Sequence, residues 1–245
     1  MSDKTPDSRL ADLTPARVRL GRYGSSLPTK AHLKFQLDHA KARDAVRAAF
    51  DPVGLAAAIE QEVIVLRSRA KDRPQYLRRP DLGRQPHPDD LERLPFGPFD
   101  LAILVVDGLS AKAVHAHAAS MVIALKEKLP NWSIAPVCAV HQGRVAVGDL
   151  IASRLGASLA CVLIGERPGL SAPDSLGAYL TWEPRVGRLD SERNCVSNIR
   201  PPDGLSYEEA SDTLARLLHA SRSAGLTGVG LKDGARSLPP APKLY

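Results

Sequence analysis

Long apolar runs are missing from this 245-residue chain. Nowhere do the roughly 18 consecutive apolar residues needed to cross a bilayer occur, and the start, Met1 to Leu10, lacks the apolar centre of a signal peptide. Neither insertion nor secretion by that route is expected. Cysteine is scarce: Cys138, Cys161 and Cys195 lie far apart with no C-x-x-C pair, which excludes a disulfide framework and suits a reducing, cytoplasmic setting. Aromatic residues make up 4%, and the excess of 33 basic over 27 acidic residues is spread without any block of five like charges. A dedicated nucleic-acid module, which needs stacking platforms and a basic stripe, is therefore not expected. The common catalytic signatures are absent too: there is no G-x-x-x-x-G-K-[ST], H-E-x-x-H or G-x-S-x-G, and no metal-spaced Cys/His cluster. The nearest glycine pattern, Gly228 to Gly234, follows a helix and is one residue too long for a dinucleotide fingerprint. A self-contained ATP or NAD enzyme does not fit.

What is present is a hydrophobic content of 44%, enough for one substantial core with or without a smaller appendage. The pattern from Thr29 to Phe50 is helical, with Thr29 as N-cap and two apolar stripes, Leu33, Leu37 and Ala40 on one side and Phe35, Ala42, Val46 and Ala49 on the other. Packing inside its own domain is the plainer reading of those stripes, packing partly on another subunit the alternative. A second helix is predicted from Val53 to Arg69, followed by irregular chain dense in Pro and Arg up to Pro98. The second half alternates. Asp100 to Val106 reads as a buried strand, Ser110 caps a helix to Leu129, Ile134 to Val140 is a strand, and Val147 to Leu155 is a helix stopped by Gly156. Ser158 to Ile164 and Ala178 to Trp182 are further strands, and Ser206 with Glu209 opens a last helix to Ala224. The fold class expected is α/β, a helical N-terminal part followed by a Rossmann-like, mostly parallel sheet domain. The divisions are a frayed start (1–15), the helical part (16–97), the sheet domain (98–236) and an extended tail (237–245).

In such a sheet the loops Asp107-Gly-Leu-Ser110, His141-Gln-Gly-Arg-Val145 and Gly165-Glu-Arg-Pro-Gly169 converge on one edge as a composite binding surface. The segment Arg193 to Arg200 interleaves amide and hydroxyl groups with apolar ones, which suits a ligand with an apolar face and a hydrogen-bonding rim. Asp107 and Ser110 are more readily caps than ligands, Arg78, Arg79 and Arg84 more readily solvated, and His39, His115 and His117 need no ligand role.

Gly143-Arg144-Val145, Ile164 to Leu170, Asp174-Ser175-Leu176 and Cys195-Val-Ser-Asn-Ile199, with Arg79 to Arg84 and Asp107 to Ser110, resemble the small (light) subunit of ethanolamine ammonia-lyase. The resemblance runs in order from about Ala16 to Asp233. It implies one subunit of an adenosylcobalamin-dependent lyase that converts ethanolamine to acetaldehyde and ammonia by a radical mechanism. The partner it implies is a large TIM-barrel subunit that holds the substrate and the chemistry, within a higher-order hetero-oligomer. This chain would be inactive alone, supply no catalytic residue and help hold the cofactor at the interface. Three contacts carry over from the family: Val145 in Gly-Arg-Val, Glu166 in Gly-Glu-Arg-Pro-Gly, and Cys195 in Arg-Asn-Cys-Val-Ser-Asn-Ile. Val145 would pack on an apolar part of the cofactor, Glu166 accept hydrogen bonds from its polar periphery, and Cys195 fill a tight contact. Taken without the family, Val145 reads instead as core and Cys195 as a buried hydrophobe, while Glu166 stays open between a solvated partner of Arg167 and a ligand contact. Asp107, Ser110 and Asn198 stay open as further contacts. No Asp-x-His-x-x-Gly loop occurs, so no cobalt ligand is expected from this chain and the cofactor's own base would stay coordinated. Longer members carry an N-terminal extension associated with bacterial microcompartments. Only a dozen or so polar residues stand there in this chain, so a cytoplasmic location is expected and microcompartment packaging is left open. The alternative of a different class is a non-catalytic α/β binding module for a nucleotide or a protein partner.

Overall fold

The computed structural model describes residues 20–231; the expected frayed start and extended tail lie outside them. Eight α-helices and six strands are found among the described residues. In chain order they are α1 (Thr29–Arg47), α2 (Pro52–Ala58), β1 (Ile64–Arg67), α3 (Arg73–Arg78), α4 (Pro80–Gly83) and α5 (Pro88–Glu92). There follow β2 (Phe99–Val106), α6 (Ala111–Glu127), β3 (Cys138–His141), α7 (Val147–Leu155), β4 (Ala157–Gly165), β5 (Leu176–Trp182), β6 (Arg193–Ile199) and α8 (Tyr207–Ala224).

The strands form one sheet in the order β1-β3-β2-β4-β5-β6. The first three pairings are parallel and the last two antiparallel, so the sheet is mixed, and the mostly parallel, Rossmann-like sheet is corrected to that extent. The reason is local. A parallel return needs a crossover of about a dozen residues or more, usually a helix. Between β4 and β5, and again between β5 and β6, there is no α-helix to make one. The part before residue 97 is not purely helical either: the helix predicted to Arg69 stops at Ala58, and Ile64–Arg67 joins the sheet as its edge strand beside β3. The irregular Pro- and Arg-rich stretch is three short helices, each with proline in its first turn, where the missing N–H costs nothing.

Two apolar layers enclose the parallel half. On one face Leu101, Ile103 and Val105 of β2 and Leu159, Cys161 and Leu163 of β4 pack against α2, α6 and α8. On the other face Leu104, Val106, Val162 and Ile164 pack against Val147, Ile151 and Leu155 of α7. β2 and β4 are therefore buried on both faces, which explains their unbroken apolar sequence. Each fully buried leucine or isoleucine contributes about 1.5–3 kcal/mol relative to exposure. β5 and β6 differ. Leu176, Ala178, Leu180, Val196 and Ile199 face α6 and α8, while their opposite face carries Gly177, Tyr179, Cys195 and Ser197. That second face extends past α7, which packs on β2 and β4.

α6 and α8 start as predicted. Ser110 Oγ accepts from Ala113 N, and Ser206 and Glu209 form a reciprocal capping box. α7 ends at Gly156 in the left-handed conformation, as its sequence predicts. α1 is the exception. Its N-cap is Pro28 with no side-chain cap bond, Thr29 is already helical, and Ala45 is its one buried residue. Leu33 and Leu37 are exposed, so the stripes do not pack wholly inside the chain's own described fold.

Candidate functional site

The three predicted loops converge at the strands' C-terminal edge. Asp107, at the end of β2, is buried and accepts from Gln142 N at 2.9 Å and Gly143 N at 3.1 Å, pinning the loop after β3. Its carboxyl is pushed up to about 6, chiefly by burial, with those two amides and the Arg73 guanidinium opposing. Ser110 donates to the carbonyl of Pro173 at 2.9 Å while capping α6, which ties down the loop after β4. Leu109 N donates to Gly165 O at 2.9 Å. The approach there is backbone on backbone: a Cβ on Gly165 would run into the carbonyls of Ser110 and Asp107, so only glycine fits. Asp107 and Ser110 are thus occupied in holding the loops together.

Between these loops and the open face of β5 lies a cleft of about 390 Å³. Its apolar wall includes Val145, Ile164 and Tyr179; its polar rim includes Arg144, Glu166 and Ser197. Val145 is half-buried at the edge of the layer under α7. The floor behind Arg144 is rigid: Tyr76 is fully buried, donates to Gly143 O at 3.1 Å and lies under the Arg144 guanidinium, 4.3 Å from the ring centre. Burial raises the Tyr76 pKa, so the ring is a neutral donor and a cation platform.

Glu166 is held more tightly than a solvated carboxylate would be. Ser175 Oγ donates to Oε2 and Ser197 Oγ to Oε1, both at 2.5 Å, and Glu166 N donates to Ser175 O at 2.9 Å. Beneath it is Gly177, where an added Cβ would sit 2.7 Å from Glu166 Oε1. The carboxylate therefore lies across β5 in the space that a side chain at 177 would fill. Ser197 reaches it because the pairing of β5 and β6 slips between Leu176 and Ala178, and such irregularities re-aim side chains beside sites.

Cys195 pairs with Tyr179 across β5 and β6 and stands next to the cleft, outside its lining. Its side chain is exposed, yet enough protein stands behind it for desolvation to raise the thiol's pKa. The Tyr179 hydroxyl opposes that rise and the nearby Glu166 charge adds to it. The Tyr179 phenol is itself pushed up, by burial and then by Cys195. Cys195 is accordingly a neutral thiol and not the buried hydrophobe of the plainer reading. Asn198 stands outside the cleft: its φ is 60°, and its carbonyl accepts from Leu205 N at 2.8 Å to close the loop into α8.

β6 is fixed to α7 by a buried ion pair. Arg193 Nη1 and Nη2 donate to Asp149 Oδ1 and Oδ2 at 2.6 and 2.7 Å, and Nη1 also donates to Thr181 Oγ1 at 2.7 Å. This fork sets the height of β5 and β6 against the start of the helix that follows Val145. The structure thus brings Val145 and Glu166 into one cleft and leaves Cys195 outside its lining, beside Tyr179. The partners missed from sequence are Ser175, Tyr179 and Ser197, whose roles depend on the antiparallel pairing. What the arrangement offers is an apolar shelf with a fixed acceptor at one side and a cation at the other, suited to a flat, mostly apolar ligand with hydrogen-bond donors at its periphery. Among the described residues no group of three or more His, Cys, Asp or Glu is placed to hold a metal ion.

Comparison with known proteins adds an independent finding. Residues 4–232 match the family model of the ethanolamine ammonia-lyase light chain. The chain is 51% identical to an ethanolamine ammonia-lyase small subunit of Azotobacter vinelandii, over 96% of this chain and 93% of that one. It is 53% identical to that of Xanthomonas campestris pv. campestris strain B100, over 93% and 88%. With the small subunit of Ralstonia nicotianae it shares 48%, over 95% and 90%.

Proposed function

Because this chain belongs to the ethanolamine ammonia-lyase light-chain family, we propose that it forms one wall of an adenosylcobalamin site whose other wall is the enzyme's larger subunit. The reaction we assign to the complex is conversion of ethanolamine to acetaldehyde and ammonia. When bound, the cofactor supplies the radical chemistry of hydrogen abstraction and amino-group elimination.

The residues fit such a group. A corrin is a broad, largely apolar macrocycle fringed with amide side chains. It matches a shelf of Val145, Ile164 and Tyr179 rimmed by a carboxylate, hydroxyls and a guanidinium. Glu166 carries the reading. A carboxylate restrained by Ser175 and Ser197 keeps lone pairs free for amide N–H donors and loses little side-chain entropy when they arrive. Val145 would give apolar contact beside Arg144, and Cys195, neutral and small, would accept close approach of a ligand that extends past Tyr179. The cleft of about 390 Å³ is shallow for a ligand of this size, which accords with a site closed only by the partner. This chain's part is to bind and orient. Base-on coordination of the cofactor, a TIM-barrel partner, a higher-order hetero-oligomer and a cytoplasmic location belong to the same proposal.

Reconstitution tests it. The chain alone should release no acetaldehyde, and the chain with its larger subunit and adenosylcobalamin should. Glu166→Ala should weaken cobalamin retention in the assembled complex by about tenfold or more, the cost of losing charge-assisted bonds. Unchanged retention removes Glu166 from the site.

A further inference from the structure

A second cavity, of about 410 Å³, opens at the same sheet edge on the far side of the 141–145 loop, and its charge is one-sided. It is lined by Arg67, Ser68, Arg69 and Lys71 from the chain leaving β1, with His87 and His141 opposite. The scaffold is ordered. Ser68 N donates to His141 O, while Arg69 N donates to Gln85 O and His87 N to Arg67 O, so the segment is clamped from both sides.

The bound charges do not cancel. Asp90, buried behind the wall, accepts from Arg67 at 2.9 and 3.0 Å and from Arg93 at 2.7 Å, so one carboxylate serves two guanidiniums. Burial opposes its ionisation, but the Arg67 and Arg93 hydrogen bonds prevail and hold Asp90 below the ordinary carboxylate range. Arg69 donates to the neutral Gln85 side chain at 2.7 Å, and no salt bridge joins Arg69 or Lys71 to a carboxylate among the described residues. Asp89 faces His87, 3.7 Å from Nδ1, and is itself exposed. His87 Nδ1 is buried without a hydrogen-bond partner, a polar atom that needs one. His141 is half-buried, set edge-on to Phe50 at 5.3 Å. The backbone donors are taken: Ala70 N by Ser68 Oγ, Lys71 N by Gln75 Oε1 and Gln142 N by Asp107. Only side chains would meet a ligand.

We propose that this cavity is a phosphate-binding site, in which Arg69 and Lys71 neutralise a phosphoryl oxyanion and His87 supplies a further hydrogen bond. Crevices at the C-terminal ends of parallel strands are where such folds take ligands, and Arg–phosphate contacts are strong and directional. The volume exceeds that of bare phosphate and leaves room for an esterified one. Two sources share this chemistry: a free phosphate or phosphate ester, and the phosphodiester in the nucleotide loop of a cobalamin held in the neighbouring cleft. The site itself does not depend on the cobalamin reading.

Two arms test it. In the first, thermal unfolding of the full chain is followed in inorganic phosphate and in chloride at equal ionic strength. The midpoint should rise with phosphate alone, by mass action. In Arg69→Gln/Lys71→Gln the apparent phosphate affinity should fall by about tenfold or more, and Arg69→Lys should restore part of it. Both positions are exposed, so the midpoint in chloride should not move; if it does, phosphorus NMR titration at room temperature reads the affinity on folded protein. In the second arm, the assembled complex is titrated spectroscopically with hydroxocobalamin and with cobinamide, which lacks the nucleotide. A double variant that weakens only hydroxocobalamin assigns the site to the cofactor's own phosphodiester. Phosphate dependence with both corrinoids unaffected assigns it to a free phosphate. If neither arm responds to the double substitution, there is no phosphate site here. Loss of corrinoid binding by Glu166→Ala tests the cleft separately.

Discussion

Gly177 and Glu166 show how much of the candidate site is set by single atoms. A Cβ at 177 would occupy the space of Glu166 Oε1, while everything else around the position tolerates it, so Gly177→Ala should displace the carboxylate and spare the fold. The expected outcome is a thermal midpoint close to wild type, with cobalamin retention weakened about as much as in Glu166→Ala; normal retention would mean that the carboxylate's position is immaterial. Asp107 gives a pH prediction with a definite sign. Burial raises its pKa from 3.8 to about 6, so between those values the folded state holds the proton more readily than the unfolded one. Its contribution to stability is greatest below pH 4 and is lost as the pH rises through 6. Urea unfolding at several pH values should show the gap between wild type and Asp107→Asn moving in favour of wild type from pH 7 down to pH 4, by about 1.4 kcal/mol for each tenfold difference in proton affinity between the folded and unfolded carboxyl. A gap moving the other way would show that the Gln142 and Gly143 amides outweigh desolvation. At this scale the motifs in the sequence point to Val145, Glu166 and Cys195, the contacts proposed above. It hides Ser175 and Ser197 because serine is common and their meeting with Glu166 depends on a pairing slip that no local pattern announces.

Among the elements, those with local causes are the ones legible in advance. Ser110, Ser206 with Glu209, and Gly156 each specify a helix end through bonds within a few residues, and those ends stand where expected. β1 has no such signature. Its four residues follow a helical pattern, and only pairing with β3 makes them a strand. β6 is not among the strands expected from sequence, because its apolar residues, Val196 and Ile199, are three apart across the slip, not two. Its attachment to α7 rests on Arg193. Arg193→Ala would leave Asp149 buried without its cation and should cost about 3–5 kcal/mol in denaturant unfolding. Adding Asp149→Ala should recover a good part of that. Equal loss in single and double variants would mean that Arg193 acts by packing alone.

Across the whole molecule, stability is concentrated in the parallel half. β2 and β4 are buried on both faces, α1 buries one residue, and β5 and β6 are covered on one face. Hydrogen exchange of the isolated chain should therefore grade from global-unfolding protection in β2 and β4 to little protection in the first turns of α1. Uniform protection would contradict this ranking. The α/β class and the central strands are legible because double burial writes unbroken apolar runs. The antiparallel half is not, since direction is set by what the chain does between strands, and a loop without a helix is silent until its partner is known.

The β5–β6 hairpin has a consequence for how this family can diversify. Glu166, Ser175, Gly177, Tyr179, Cys195 and Ser197 all fall in one continuous stretch that follows directly on β4 and pairs with that double-buried strand by backbone bonds, which ask for no particular side chain. That stretch is transplantable. Exchanging 166–199 between relatives would move most of the ligand-facing wall as one cassette, with Asp149 as the one partner outside the cassette that must match Arg193.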